Sequence, residues 1–597
     1  MTTDYIAIMS PDGSDALAEE RKRVRPGYQV AVDRPGLLVL TTAPTDIVAM
    51  MGGDGVAIGT MFDRSGREAV ATIDRPASAT AHDSGGASLL AQFWGGFVAI
   101  ISDPDGGVSI IRDPSGEVPC YWSEYGGVTV ATSQPRDWID NYRRVDFDWT
   151  TVVGHLLWPE RRNRQTCLAG LCELMPGERL VVRPSETRVD PIWQPWRFTV
   201  PELRIDERED AIELVRRATL NTVAGWCRRY PRSLVSLSGG LDSSIVLAAA
   251  QAHTIAAVTI MTDEPIGDER QYARAAADYC AVPLIERSLH IDTIDPRRSN
   301  AARLPRPTAR LFGQAIDHIW RNASVDCGAD ALFHGGGGDN VFCYLTSCTP
   351  YLDSLLVRGP GRSSRATLGD VARLTKVSNG RVKRAALRKM LIEHGRYRWH
   401  RDAGFLTSDA LALADPWSDH PWFDAVPPRT LPGKRAHVAA LIRIQNYLEA
   451  IEPERRVPVV APLMSQQVME VCLRVPTWIW CEGGVNRAVA RAAFRDHLPG
   501  MVIDRTSKGG PDAFEIQVMT AHHDTIREML LEGQLAAHGL IDRKAVTSAL
   551  EHEGPLRATH YPRLSALVDV EAWLQSWSAI RANGVAAQAW SRSARQR

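Results

Sequence analysis

The sequence lacks the patterns that mark a zinc-binding, membrane-spanning or strongly charged protein. Its ten cysteines include no Cys-x-x-Cys pair, so no zinc motif is present and reduced, mostly packed thiols are expected. No segment has the unbroken apolar length of a membrane span, and the start of the chain has no basic region followed by a long apolar run. With a formal net charge of −1, the overall balance favours neither nucleic acid nor membrane as a partner. These absences predict a cytoplasmic globular protein.

The 597 residues are enough for more than one domain, and their composition divides them into two. Residues 1–190 alternate short apolar runs with Gly, Pro and Asp turns, which predicts a strand-rich α+β domain. Residues 191–210 are rich in proline and charge without periodicity and are interpreted as a linker. In residues 211–597, apolar strands alternate with helical stretches, which predicts an α/β doubly wound parallel sheet followed by a helical C-terminal part.

A polar turn stands between the apolar strand at 234–237 and the helix after it. The turn SGGLDSS (238–244) supplies a carboxylate, hydroxyls and two glycines where the helix begins, and the free N–H groups there favour a bound phosphate. Because Asp242 would repel a bare phosphate, a hard cation such as Mg²⁺ is expected between them. The turn lacks the Gly-Lys-Ser/Thr ending of a Walker loop, so a lysine for the outer phosphates must come from elsewhere. The simpler alternative is that Ser238 and Asp242 only cap the helix.

A second acidic turn follows the apolar strand at 331–333. Four glycines lead directly from this strand to Asp339 in the stretch HGGGGDN (334–340). Since ligands collect outside the carboxyl ends of the strands in a doubly wound sheet, Asp242 and Asp339 are expected to share a metal ion. A flexible linker is the alternative interpretation of the glycines.

These two turns carry a resemblance to a known family. SGGLDSS resembles the pyrophosphate loop of ATP pyrophosphatases, which have an adenine nucleotide alpha hydrolase-like fold, and together with GGGGDN it resembles the synthetase domain of asparagine synthetases. In that family ATP is split to AMP and pyrophosphate while a carboxylate becomes an acyl-adenylate. The resemblance implies a magnesium ion bound by Asp242 and Asp339. It also implies the following nucleotide contacts: pyrophosphate at Ser238, Gly239, Gly240, Asp242 and Ser243, and the adenosine pocket at Leu237, Val258 and Gly335.

The missing lysine is implied by the same resemblance. The segment 491–514 resembles the family's stretch in which Arg and Lys follow a Leu-Pro, and it implies that Lys508 lies over the phosphates. There its ammonium would stabilise the negative charge that develops during the reaction. The alternative is a solvated lysine in a loop.

The N-terminal residues resemble the glutaminase domain of asparagine synthetases, which has an N-terminal-nucleophile fold. The stretches FWGGFVAI (93–100), IRDPSGEVPCYW (111–122) and LAGLCELMPGERLVV (168–182) carry this resemblance. The family's glutaminase needs a cysteine that becomes the first residue after Met1 is removed, whereas Thr2 stands here. Thr2 as a nucleophile is an alternative. The resemblance therefore implies a degenerate glutaminase-like domain without an ammonia supply.

Further segments resemble the lasso peptide cyclases within this family. They are GGGGDNVF, the stretch 461–500 and the interposed basic insertion 351–404. The resemblance implies an ATP-dependent, AMP-forming carbon–nitrogen ligase, a macrolactam synthetase that uses ATP and Mg²⁺. It would adenylate an Asp or Glu side chain of a leader-free precursor peptide and join it to the peptide's N-terminal amine as an isopeptide bond. The implied partners are the precursor peptide and a leader peptidase, with no nucleic acid and no membrane.

Alternatives and open assignments remain at the sequence level. Another amide-forming enzyme of the β-lactam synthetase or asparagine synthetase type, acting on a small molecule, is one alternative, and a nonenzymatic scaffold is another. Gly336 stands where asparagine synthetases have an acid and β-lactam synthetases a tyrosine, which would leave room for a bulky substrate. Glu449, Glu452 and Glu454 are candidates for the catalytic acid. The basic region 358–401 fits a solvated helical face, a cradle for an acidic peptide or a nucleic-acid surface.

Overall fold

The computed structural model describes residues 4–595, with the exception of residues 13, 14, 24, 53, 54, 65–67, 104, 105, 140–145, 262–267, 309, 414–419, 450–456, 507, 508, 510, 511 and 552–559. Within these residues the chain is mixed α/β, with strands concentrated before residue 192 and helices after residue 207. No helix of the described part is long and apolar enough to cross a membrane.

The N-terminal part consists of two facing sheets whose strands are almost all antiparallel, in the orders β11-β9-β10-β1-β3-β2 and β13-β12-β8-β7-β5-β4-β6. Its strands are β1 Tyr5–Met9, β2 Gln29–Arg34, β3 Leu37–Thr41, β4 Ile47–Met50, β5 Gly55–Asp63, β6 Thr72–Ile73, β7 Phe93–Ser102, β8 Val108–Arg112, β9 Tyr121–Tyr125, β10 Val128–Thr132, β11 Cys172–Glu173, β12 Glu178–Arg183 and β13 Glu186–Pro191. Its helices are α1 Asp15–Arg21, α2 Arg75–Asp83, α3 Ala87–Gln92, α4 Pro135–Ile139 and α5 Trp149–Leu157.

The strand β1 explains why this part has nearly continuous apolar runs. Successive side chains of a strand point to opposite faces of the sheet. Tyr5, Ala7 and Met9 pack between the two sheets, whereas Ile6 and Ile8 pack on the other face against a core that includes the C-terminal helices. Both faces of β1 are therefore buried, and the interior between the two sheets is filled with side chains.

The C-terminal part is built on a five-stranded parallel sheet in the order β16-β15-β14-β17-β18. The strands are β14 Ser233–Ser236, β15 Thr254–Met261, β16 Leu284–Ser288, β17 Ala331–His334 and β18 Val459–Val460. The helices are α6 Arg208–Arg229, α7 Leu241–Ala250, α8 Arg270–Tyr279, α9 Gly313–Cys327, α10 Gly338–Val341, α11 Thr349–Arg358, α12 Arg362–Thr375, α13 Asn379–Leu391, α14 Ser408–Leu413, α15 Pro421–Asp424, α16 Pro432–Leu448, α17 Gln466–Arg474, α18 Thr477–Trp480, α19 Ala488–Ala493, α20 Gly500–Ile503, α21 Asp512–Ala521, α22 His523–Glu532, α23 Gln534–Ala537, α24 Arg543–Leu550 and α25 Tyr561–Arg595.

The pairing of β14 with β17 positions the two acidic turns. The two strands run parallel, and the last residue of each, Ser236 and His334, are partners in the register. The turns that follow these strands therefore leave the same edge of the sheet side by side. On its other side β14 pairs with β15, so the connections after β14 and β17 diverge at this point, which is where open α/β sheets bind ligands.

The segment between the two parts is packed against the C-terminal part. The indoles of Trp193 and Trp196 are buried, and Nε1 of Trp193 donates to Oε1 of Glu470 at 3.0 Å. The predicted domain limits at residues 190 and 210 stay a prediction.

Candidate active site

The turn after β14 forms a compact hydroxyl-lined loop at the start of α7. Oγ of Ser243 donates to the carbonyl of Gly240 at 3.2 Å and lies 3.1 Å from Oγ of Ser238. The N–H of Ser238 donates to Oγ of Ser243 at 3.2 Å. Gly239 has a φ of +70°, a left-handed conformation that favours glycine. The loop therefore closes on itself at the N-terminus of a ten-residue helix, an arrangement that presents backbone N–H groups to an anion.

The glycine turn after β17 packs directly on this loop, which decides against the flexible-linker interpretation. A Cβ on Gly335 would lie 2.4 Å from the nitrogen of Ser243, and a Cβ on Gly338 would lie 2.3 Å from Cγ of Asp242. Real Cβ atoms do not make contacts this short, so both positions require glycine because the two turns touch.

Gly336 lies against the imidazole of His334, the last residue of β17. A Cβ there would lie 2.4 Å from Cε1 of His334, and the N–H of Gly336 donates to Nδ1 of the same imidazole at 3.1 Å. Burial lowers the pKa of His334 to about 4, so the ring is neutral and accepts this hydrogen bond. The room expected next to Gly336 is therefore occupied by His334.

The carboxylates of Asp242 and Asp339 converge on one guanidinium. Nη1 of Arg487 lies 2.7 Å from Oδ2 of Asp242 and 2.6 Å from Oδ1 of Asp339. Although burial opposes its charge, the two aspartates raise the pKa of Arg487 above its ordinary value. The guanidinium also lies 5.3 Å from the ring of Tyr344. These three charged residues, Asp242, Asp339 and Arg487, are called the paired-aspartate site below.

The donor atoms at this site fit a magnesium ion. Both aspartates offer carboxylate oxygens, which Mg²⁺ prefers, and they already meet at a single cation. A divalent cation placed between two carboxylates is favoured electrostatically. Asp242 and Asp339 are the residues that would hold the ion.

A third segment reaches the same loop through Glu269. Arg505 donates to the carbonyl of Gly239 at 3.2 Å, pairs with Oε1 of Glu269 and lies over the ring of Tyr272 at 4.0 Å. The N–H of Gly509 donates to the same Oε1 of Glu269 at 2.9 Å. Lys508 itself lies outside the described residues, but its described neighbours are held against the loop. Its predicted role stays a prediction.

The residues predicted for the adenosine pocket come together only in part. The N–H of Leu237 donates to the carbonyl of Val258 at 2.8 Å, so their backbones are adjacent. Their side chains are fully buried in different cores, and they do not form one wall. Gly335 contacts the loop through Ser243, as described above.

Glu449 lies in a buried network between the two parts of the molecule. Its Oε1 accepts from Arg112 at 3.0 Å and from Arg162 at 2.7 Å, and its Oε2 accepts from the hydroxyl of Tyr121 at 2.5 Å. The full set, called the buried charge cluster below, comprises Arg112, Arg162, Glu173, Arg306 and Glu449. Glu452 and Glu454 lie outside the described residues, so the catalytic acid is not assigned.

Comparison with known proteins identifies the family. The sequence model of asparagine synthase matches residues 214–577, which is more than half of the chain. The chain belongs to the asparagine synthase family. Members of this family are ATP-dependent, AMP-forming carbon–nitrogen ligases, so the protein is an enzyme of this class that uses ATP to form an amide bond. No curated protein matches the chain.

Solved structures that resemble this asparagine synthase family member are distant. One is glutamine phosphoribosylpyrophosphate amidotransferase from B. subtilis, complexed with ADP and GMP, at 12% identity and a TM-score of 0.20; the match covers 47% of this chain and 65% of that chain. Another is described as the allosteric regulatory enzyme of purine biosynthesis, at 10% identity and a TM-score of 0.19, covering 56% of this chain and 84% of that chain. TM-scores this low do not establish a common overall fold.

One residue at the site of this asparagine synthase family enzyme was missed in the sequence, namely Arg487, which binds both aspartates. Arg505 is the arginine of the stretch 491–514, and with Glu269 it anchors the segment around residue 508. The signal for Arg487 was present, because the stretch NRAVAR (486–491) places two arginines among apolar residues where α19 begins, and buried arginines require acceptors. The acceptors themselves lie more than a hundred residues away along the chain, and only the fold shows which ones they are.

Proposed function

We propose that this ligase is a lasso peptide cyclase, which adenylates an Asp or Glu side chain of a leader-free peptide and joins it to the N-terminal amine of the same peptide. The proposal adds a substrate to the amide-forming activity of the family. Its first requirement is that the attacking amine comes from the substrate rather than from glutamine.

The burial and protonation of the cysteines are the observations that support this requirement. All ten are unpaired, and each is buried or half-buried. Burial raises the pKa of every one of them, to about 11 for Cys120, the first in the chain. Because the thiolate is the nucleophilic form, none of these thiols is activated to hydrolyse glutamine. Thr2, the alternative nucleophile, lies outside the described residues.

The N-terminal part supports the same conclusion through its packing. The space between its two sheets is filled by apolar side chains such as Tyr5, Ile100 and Leu180, each without exposed surface. We propose that this part is a degenerate glutaminase-like domain, retained for its contacts with the synthetase part rather than for catalysis. The buried charge cluster supplies those contacts.

The site residues have separate tasks in the proposed reaction. The loop of Ser238, Gly239, Gly240 and Ser243 binds the pyrophosphate portion of ATP, and Asp242 with Asp339 would hold Mg²⁺. When bound, the ion would supply positive charge against the phosphates. Lys508 then stabilises the charge on the α-phosphate and on the tetrahedral centre that forms when the amine attacks. AMP leaves as the isopeptide bond closes, and because both reacting groups belong to one peptide, binding it folded brings amine and acyl carbon together.

The direct test combines the enzyme with Mg–ATP and short synthetic peptides that have a free N-terminal amine and one Asp or Glu at varied positions. Product mass and nucleotide are followed together. The expected product has lost one water, and AMP appears in the same molar amount. Acetylation of the amine should abolish ring closure, whereas the acyl-adenylate should still form. Formation of ADP, or AMP release that is indifferent to every peptide but responds to small amino acids, would show that the substrate assignment is wrong.

A further inference from the structure

Exposed apolar side chains are concentrated on the helices of the basic insertion. Fourteen large apolar side chains are exposed in the described part of the chain, and six of these lie between residues 356 and 392, exposed by 37% to 63%. They are Leu356, Val357, Leu387, Met390, Leu391 and Ile392. Single exposed leucines need no explanation, but a cluster of this kind marks a surface that another molecule covers.

Four of these six residues lie together at the end of the third helix of the insertion. α11, α12 and α13 are joined by short connections and contact one another, and Cys348, which precedes α11, interacts electrostatically with Lys389 and Glu393 at the end of α13. Leu356 and Val357 end α11, while the other four end α13 or follow it directly. The inward face of α13, at Val382 and Ala386, packs on Leu368 and Val371 of α12, which leaves the opposite face of α13 without a covering element.

The uncovered face of α13 is also strongly basic. Residues 358–401 contain thirteen Lys and Arg but only two Asp and Glu. Arg384 and Arg388 lie one turn apart, beside the row formed by Leu387 and Leu391, and like charges at this spacing destabilise a helix by about 0.2–0.5 kcal/mol. Arg384 has no ion pair with any residue that the structure describes, and the carboxylate nearest to Arg388 is 3.9 Å away, on Glu393. That carboxylate is already bound by Lys389 at 2.8 Å.

Residues 394–401 lead from this face towards a cavity. Along them, exposed Arg396, Arg398 and His400 alternate with half-buried neighbours, and neither arginine forms an ion pair within the described part of the chain. The half-buried Tyr397 and Trp399 pack on each other, with ring centroids 5.0 Å apart. An alternation with a period of two offers one continuous basic side to an extended ligand.

The cavity has a volume of about 480 Å³, within the range of ligand sites. Asp402, which follows the alternating segment, is one of its lining residues, and Arg310 and Tyr447 are others. The guanidinium of Arg310 lies 3.9 Å from the ring centroid of Tyr447. Because the N–H groups of a guanidinium lie in its plane, stacking on a ring leaves them able to pair with a carboxylate. Asp569, another lining residue, interacts electrostatically with this guanidinium. Arg310 precedes α9, which leads back into β17, so the cavity lies towards the carboxyl edge of the parallel sheet, as does the paired-aspartate site.

We propose that Arg384, Leu387, Arg388 and Leu391, here called the α13 patch, dock an acidic and apolar segment of the peptide substrate, which continues along residues 394–401 to the cavity. This proposal rests on the proposed function, because it takes the ligand to be the peptide that the enzyme cyclises. The apolar row covers the leucine and aromatic side chains of such a segment, and the arginine row pairs with its carboxylates.

The test uses two double variants and a matched control. R384E/R388E reverses the basic row, L387Q/L391Q removes the apolar row, and R217E/R228E reverses two exposed arginines of α6. The probe is a fluorescein-labelled synthetic peptide with a free N-terminal amine and a segment of alternating Glu and Leu, and its Gln counterpart serves as the uncharged control. Each patch variant should weaken binding of the acidic peptide about tenfold or more, about 1.4 kcal/mol. The control variant should bind like the wild type, and the KM for ATP should stay the same throughout.

Three results of the binding measurements would overturn the docking proposal. The first is equal binding of the acidic peptide by wild type and both patch variants. The second is equal binding of the Glu and Gln peptides by the wild type. The third is loss of binding to phosphatidylglycerol vesicles or to single-stranded RNA in R384E/R388E while peptide binding is unchanged, since the patch would then serve a membrane or a nucleic acid. If the patch variants cyclise peptides as fast as the wild type, the docking site is wrong but the cyclase function stands. If the patch variants bind the acidic peptide more weakly than the wild type but no peptide is converted by the wild type, the cyclase function is wrong.

Discussion

The paired-aspartate site and the buried charge cluster both join arginines to carboxylates, but they differ in how far their side chains are shielded from solvent. In the buried charge cluster every carboxylate oxygen of Glu173 and Glu449 accepts at least one hydrogen bond. No side chain of that cluster is more than 7% exposed. In the paired-aspartate site a single nitrogen of Arg487 serves two carboxylates, and the side chain of Asp339 is 28% exposed.

This difference separates a structural contact from a binding site. Taking ions out of water is costly, and only full pairing with good hydrogen bonds offsets that cost. The buried charge cluster meets this condition, because every carboxylate oxygen accepts a hydrogen bond and no member is open to solvent. The paired-aspartate site is open to solvent at Asp339, so a metal ion and the phosphates that come with it could reach it. Similar residue types therefore hold two parts of the molecule together in one place and form the proposed nucleotide site in the other.

The largest effect is expected from Glu173→Gln, which breaks the buried charge cluster. Removal of one partner from a buried ion network leaves uncompensated charges and destabilises a protein by about 3–5 kcal/mol. Arg112, Arg162 and Arg306 would lose their shared acceptor. The free energy of unfolding is measured with denaturant, and Glu286→Gln is the matched control, because its pair with Arg274 is exposed and should contribute about 1 kcal/mol or less. Equal losses of unfolding free energy in Glu173→Gln and Glu286→Gln would show that burial does not determine how much these ion pairs contribute to stability.

The pH dependence of this loss gives a second measurement on the same variant. Although burial opposes ionisation, the three arginines lower the pKa of Glu173 well below its ordinary value of 4.5. A lowered pKa in the folded state contributes stability that is complete above the unfolded value and declines as the pH falls below it. The difference in unfolding free energy between wild type and Glu173→Gln should therefore be constant from pH 7 to about pH 5 and shrink below pH 4.5. A difference that shrinks already near pH 6 would contradict the lowered pKa.

The next largest effect is expected from Asp242→Asn at the paired-aspartate site. The amide keeps the shape of the side chain but removes a negative ligand for Mg²⁺ and one partner of Arg487. Loss of one preorganised electrostatic contact typically costs about a hundred- to a thousandfold in kcat. AMP formation is measured over a range of Mg²⁺ concentrations, with the unfolding free energy as the check that the fold is retained. Unchanged AMP formation would remove Asp242 from the metal site, and Asp339→Asn should behave in the same way if the two share one ion.

The paired-aspartate site and the buried charge cluster also show which contacts can be predicted from the sequence and which cannot. Both turns of the paired-aspartate site could be found because each lies next to a strand with a local pattern, and the parallel pairing of β14 with β17 brings them together. Arg487 could not be paired with its acceptors, because it lies 148 residues from Asp339 and 245 from Asp242 along the chain. The same holds for Glu449, a candidate for catalysis in the sequence, whose partners Arg112 and Tyr121 belong to the other part of the molecule.

The third prediction sharpens the comparison with a substitution that adds no charge. Gly338→Ala places a methyl group where Cγ of Asp242 lies only 2.3 Å away, so the carboxylate must move away from Asp339. Overpacking of this kind costs about 1–3 kcal/mol, and part of this cost should appear as a loss of about tenfold in kcat, since a small misplacement of a catalytic group is costly. Gly369→Ala is the matched control, because a Cβ at Gly369 meets no atom within 4 Å; the change should preserve activity and, since Gly369 lies inside α12, raise stability by up to about 1 kcal/mol. If Gly338→Ala lowers stability but leaves AMP formation intact, the spacing of the two aspartates does not control the reaction, and their convergence on Arg487 has only a structural role.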